Sequence, residues 1–127
     1  MTVEDFCSQL SPLLKEQGFK KQRLNWRKDM GSSFAVLNVQ ISPWGDRSYY
    51  INVGIYLKSL GEETAPIHNN CHVPERLEHE SAESLVSEAT EWFALRSDIS
   101  SLSKLHIAKK LLGKGLVFKE VIHAINA

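Results

Sequence analysis

The chain carries no net charge, no long apolar run, only two cysteines, and none of the short motifs that usually announce a reaction. Each absence removes a class of answer. Fifteen basic against fifteen acidic residues leave no global field to draw the protein to nucleic acid or to anionic lipid. No apolar stretch approaches the roughly twenty residues that a membrane-spanning helix needs. Residues 1–18 hold acids where a secretion signal holds a basic start and an apolar centre, so the expected compartment is the cytoplasm. There Cys7 and Cys71 are expected as free thiols. Gly-x-Ser-x-Gly, His-Glu-x-x-His, a calcium-type aspartate cluster, a Walker loop and internal repeats are all missing. The lysines and glycines of Gly113-Lys114-Gly115 follow no strand, so they read as a helix cap and linker, not a phosphate loop.

What is present suits one domain over residues 1–127. A chain of 127 residues that is 43% hydrophobic can bury roughly two-thirds of its unfolded surface around a single core. Its clearest pattern is Phe34 to Leu57, two alternating runs around Pro-Trp-Gly-Asp, a hairpin signal. With a turn over Ser42 to Ser48, Ile41 falls opposite Tyr49, Val39 opposite Ile51, Gln40 opposite Tyr50 and Asn38 opposite Asn52. The greasy sides of the two runs then coincide, and a one-residue slip would destroy the match. The other side carries Asn38, Gln40, Tyr50, Asn52, Gly54 and Tyr56, a surface of amides, aromatics and bare backbone.

Around this hairpin the remaining segments read as cover or extension. Thr2 and Asp5 form a capping box, and Val3, Phe6, Leu10, Leu13 and Leu14 recur at helical spacing. Pro12 is expected to kink that helix or split it after Leu10. Cys7 has no neighbour to lower its pKa and reads as core. Phe19 to Lys28 reads as one edge strand whose bases discourage aggregation; a single Trp26 among them is too little for a single-stranded nucleic-acid platform. Another short strand is expected at Cys71 to Leu77, with Cys71, Val73 and Leu77 inward and the histidines solvated. Ser81 starts a helix whose Leu85, Val86, Ala89, Trp92 and Phe93 share a face, while Glu83, Glu88 and Glu91 turn outward. Leu102 to Leu112 and Leu116 to Ala127 are two further helical patterns.

The chemically loaded stretch is 67–79. His68, Cys71, His72 and His79 are residue types that suit zinc, but their spacing matches no tight pattern, and adjacent Cys71 and His72 point to opposite sides of a strand. A cysteine-histidine dyad fails on the same ground unless His68 or His79 reaches Cys71 in space. The charges are segregated: residues 61–99 balance at −7, against +3 before them and +4 after them. An acidic helix and a basic helix with solvated faces account for this, and a basic partner for the acidic stretch is the sharper alternative.

In order along the chain, Gly18-Phe19-Lys20-Lys21, Asn38-Val39-Gln40, Tyr50-Ile51-Asn52-Val53-Gly54-Ile55-Tyr56, Cys71-His72-Val73 and Arg76-Leu77 resemble the bacterial domain-of-unknown-function 4304 family. The likeness runs over residues 3–95. It implies a small cytoplasmic bacterial α+β domain with no established reaction. Domains of this size and kind include toxin-neutralising immunity proteins, an association and not a derivation.

The expected architecture is α+β: an N-terminal helix, an antiparallel sheet of about four strands in meander order, and two or three C-terminal helices packed on one face. The leading functional expectation is a non-enzymatic module, monomer or homodimer, that binds another protein without cofactor, nucleic acid or membrane. Its candidate surface is Asn38, Gln40, Tyr50, Asn52, Tyr56 and Arg76, with Trp44 at the turn. The alternatives are a metal- or cysteine-dependent hydrolase using Cys71, His68, His72 and Arg76, and a small-ligand pocket lined by Tyr50, Asn52, Tyr56 and Trp26. Cross-strand pairing of the amides among themselves is the competing structural account of that face.

Overall fold

The computed structural model describes residues 2–42, 48–113 and 115–127. Its elements run α1 (Val3–Glu16), β1 (Lys20–Gln22), β2 (Asn25–Asp29), β3 (Ser33–Ile41), β4 (Tyr49–Leu57), β5 (Val73–Leu77), α2 (Ala82–Ala94), α3 (Ile99–Ile107) and α4 (Gly115–Asn126). The strands form one antiparallel meander in the order β1-β2-β3-β4-β5. The central pair has the register expected from alternation, including Asn38 opposite Asn52 and Ile41 opposite Tyr49.

The sheet has five strands, not about four, because 19–28 is a tight hairpin and not one edge strand. Gln22 pairs with Asn25, leaving Arg23 and Leu24 as a two-residue loop with Arg23 at φ 57. Nothing in a run of bases signals that turn, since arginine rarely takes positive φ.

Ala35, Leu37, Val39, Ile51, Val53, Ile55 and Leu57 form the apolar face, each at most 2% exposed. Phe6, Leu10 and Leu14 from α1 and Leu85, Ala89 and Phe93 from α2 join them in one core, and Leu102 of α3 and Val121 of α4 reach the same cluster. Burying each large aliphatic or aromatic side chain is worth about 1.5–3 kcal/mol, so this cluster is the main reason the layers stay together. Pro12 does not split α1, which is continuous with Phe6 and Leu10 buried before the proline and Leu14 after it. That anchoring on both sides offsets the lost backbone bond. Capping boxes at Thr2 and Ser81 satisfy the first free amides of α1 and α2.

At the C-terminal side, α3 ends at Ile107 with Lys109 at φ 59, so Leu111 and Leu112 lie outside the helix that their spacing suggested. Among the described residues no helix is long and apolar enough to cross a membrane.

Candidate functional site

The polar face is built by the alternation that builds the core. Register partners place Asn25, Asn38, Asn52 and Arg76 side by side across β2, β3, β4 and β5. Their amides join hands. Asn38 Nδ2 donates to Asn25 Oδ1 at 3.3 Å, and Asn52 Nδ2 donates to Asn38 Oδ1 at 3.1 Å and to Gln40 Oε1 at 3.0 Å. Arg76 completes the row, its Nε 3.4 Å from Asn52 Oδ1 and its Nη2 3.4 Å from Gln40 Oε1. The cross-strand account of these amides is therefore correct for the inner members, Asn38 and Asn52, which are half-buried and buried.

The outer members are open. Gln40, Tyr50 and Arg76 are exposed, and the Arg76 guanidinium lies over the Tyr50 ring, 4.3 Å from its centroid. An arginine on an aromatic face gains a cation–π contact and loses little freedom on meeting an anion.

The other half of the face is covered by residues 61–71, which leave β4 and cross it before reaching β5. Tyr56 is only 3% exposed, and its hydroxyl accepts the Glu63 N–H at 2.8 Å. His68 N–H donates to Asn25 Oδ1 at 3.2 Å, and Cys71 packs with Val36 and Tyr56 against Gly54. Tyr56 thus belongs to a small second core and is not available on the surface where the sequence reading put it. The reason is the crossing strap, which alternation within a strand does not reveal.

The ligand-pocket reading is divided by the sheet. Trp26 pairs with Leu37 on the apolar side, whereas Tyr50, Asn52 and Tyr56 lie on the polar side. Trp44 lies outside the described residues.

The histidines and cysteines of 67–79 do not converge. His79 stacks on Phe6 and Tyr49 at 4.9 and 5.0 Å on the core side of the sheet. His72 is buried, not solvated as alternation suggested. Its N–H donates to Ile55 O at 2.9 Å, and its Nδ1 accepts the Leu57 N–H at 2.9 Å, extending the β4–β5 ladder by a side chain. Burial holds the His72 and His68 imidazoles below the usual histidine range. Burial also pushes the Cys71 thiol up to about 12 and raises Cys7. Among the described residues no three histidine, cysteine or acidic side chains gather as a metal site.

Sequence reasoning missed Asn25, which opens the amide row and also receives the strap. Its signal was its odd-even step relative to Trp26, readable only once the turn at Arg23-Leu24 is known. No curated protein and no solved structure matches the chain. The family model described as Domain of unknown function (DUF4304) matches residues 10–112, which takes in the five strands, the strap and α2 and α3, and the chain belongs to that family.

Proposed function

We propose that this domain is a non-enzymatic binding module that engages another protein through the open half of its polar sheet face, as an immunity or antitoxin protein does. The observation that carries the reading is the Arg76–Tyr50 stack, exposed yet held at 4.3 Å and tied to Gln40. A charge and an aromatic ring fixed before contact reduce the ordering cost of association. Arginine and tyrosine are also the side chains that most often dominate binding energy. The guanidinium has five N–H donors, so those not engaged by Asn52 and Gln40 remain for a carboxylate of the partner.

The cysteine-dependent form of the hydrolase alternative needs a reactive thiolate. A thiol pushed up to about 12 supplies almost no thiolate at neutral pH, and burial under the strap withholds it further.

The test is affinity capture from host lysate with the wild type, with Tyr50→Ala/Arg76→Ala, and with Glu83→Ala on the exposed face of α2. A stoichiometric partner held by the wild type and by Glu83→Ala, and lost by the double variant, supports the reading. A partner retained by the double variant, or none at all from folded protein, overturns it.

A further inference from the structure

We infer a small-molecule site on the other side of the sheet: the groove between α1 and the β1–β2 hairpin takes an amphiphilic anion, a single carboxylate or phosphate head with a short apolar tail. The groove has two connected parts. One of about 810 Å³ lies between Val3, Cys7 and Ser11 of α1 and Lys21, Leu24 and Ile41. The other, about 310 Å³, shares Ser11 and Lys21 and extends to Lys15, Lys20 and Trp26. Each falls within the size range of ligand pockets, about 300–1,000 Å³.

The two ends differ in chemistry. Three lysines, Lys15, Lys20 and Lys21, border the smaller part, whereas Glu4 borders the larger one. At about 1.5 Å rise per residue, Glu4 and Lys15 are roughly 16 Å apart along α1, so an anionic head is drawn to one end and repelled from the other. Between them the walls mix Val3, Cys7 and Leu24 with the hydroxyls of Ser8 and Ser11, and Ile41 is left 51% exposed at the open end.

A tryptophan ring forms one wall of the lysine end. Trp26 is 1% exposed, it lines the lysine end, and its indole N–H has no partner among the described residues. Buried indole donors normally find an acceptor. The Lys21 ammonium sits 5.6 Å from the centroid of that ring. The indole N–H is itself closed to solvent, so an anion seated on Lys21 meets the ring wall and not the N–H, and the tail then follows Cys7, Leu24 and Val3. From Ser11 back to Val3 the helix offers a track of roughly 12 Å.

The probe is octanoate, titrated into 15N-labelled protein while the Trp26 indole N–H resonance is followed. That resonance is assigned by elimination with Trp44→Phe and Trp92→Phe. The expected result is a saturable shift with octanoate, and none with octylamine, which reverses the head charge, or with acetate, which lacks the tail. Lys21→Gln and, separately, Lys15→Glu, both at exposed positions, are expected to weaken octanoate by about tenfold or more while keeping the dispersed spectrum of the folded state. A shift that never saturates, an equal response to octylamine, or unchanged affinity in both lysine variants overturns the site.

Discussion

Gly54 lies directly against Cys71: a methyl group built on Gly54 would come within 2.7 Å of both the Cys71 Cβ and its Sγ. The missing side chain lets residues 61–71 settle on the sheet. That contact divides the polar face into a covered half around Tyr56 and an open half around Tyr50 and Arg76.

Gly54→Ala therefore overpacks the strap. The expected cost is about 1–3 kcal/mol of folding stability, read as a lower urea midpoint. Adding Cys71→Gly is expected to return a good part of it, because the two atoms that clash are then gone. A loss that the second substitution leaves untouched would place the strain somewhere other than this contact.

Asn52 is the keystone of the amide row, 5% exposed and donating to both Asn38 and Gln40. Asn52→Leu leaves those acceptors and the Arg76 guanidinium without their partner. Unfolding titrations should show a loss of about 1–3 kcal/mol, the usual cost of stranding buried polar groups. Gln40→Ala, at the exposed end of the same row, should cost well under half as much. Equal losses would mean that the row carries no buried polar energetics.

Stability should depend on pH through the buried imidazoles. His72 and His68 have folded pKa values below the ordinary 6.5, mainly from burial; for His72, a backbone hydrogen bond with Leu60 and the charge of Glu120 pull the other way. A depressed histidine pKa means that the unfolded chain takes up the proton first, so the contribution is whole above about 6.5 and falls as pH drops through the folded values. His72→Asn keeps an acceptor for the Leu57 N–H without the titration. Its thermal midpoint should vary less than the wild type's between pH 7 and 5, a window above the aspartates, whose ordinary value is 3.8. An unchanged slope in that variant would assign the dependence to other groups.

Thiol chemistry should be silent in the folded state. With the Cys71 thiol at about 12, the thiolate fraction at pH 8 is about one in ten thousand, and Cys7 is raised as well. Labelling by a disulfide reagent should be slow in buffer and should accelerate across the unfolding transition. Fast labelling of Cys71 in native protein would revive the nucleophile reading.

Much of this fold is legible in residue order. Alternation in Phe34 to Leu57 restricts the register, because a one-residue slip would part Leu37 and Val39 from Ile51 and Val53, and the short turn selects among the pairings that remain. Thr2 with Asp5, and Ser81 with the apolar stripe that follows, likewise determine where α1 and α2 begin. The same alternation puts Asn38, Gln40, Tyr50 and Asn52 on one face.

The tertiary structure decided what covers that face. Local periodicity assigns a side chain to one side of a strand, but whether that side meets water, a helix or a crossing loop depends on contacts far apart in sequence. Tyr56 and His72 are buried because 61–71 folds back over β4, and Trp26 is parted from Tyr50 because β2 pairs with β3 in the register that sets Trp26 opposite Leu37 on the apolar face. Residue order alone fixed the central rows of this sheet, on β3 and β4; the packed chain added Asn25 to the amide row and settled which end of it stays open, because burial is a property of neighbours and not of the strand.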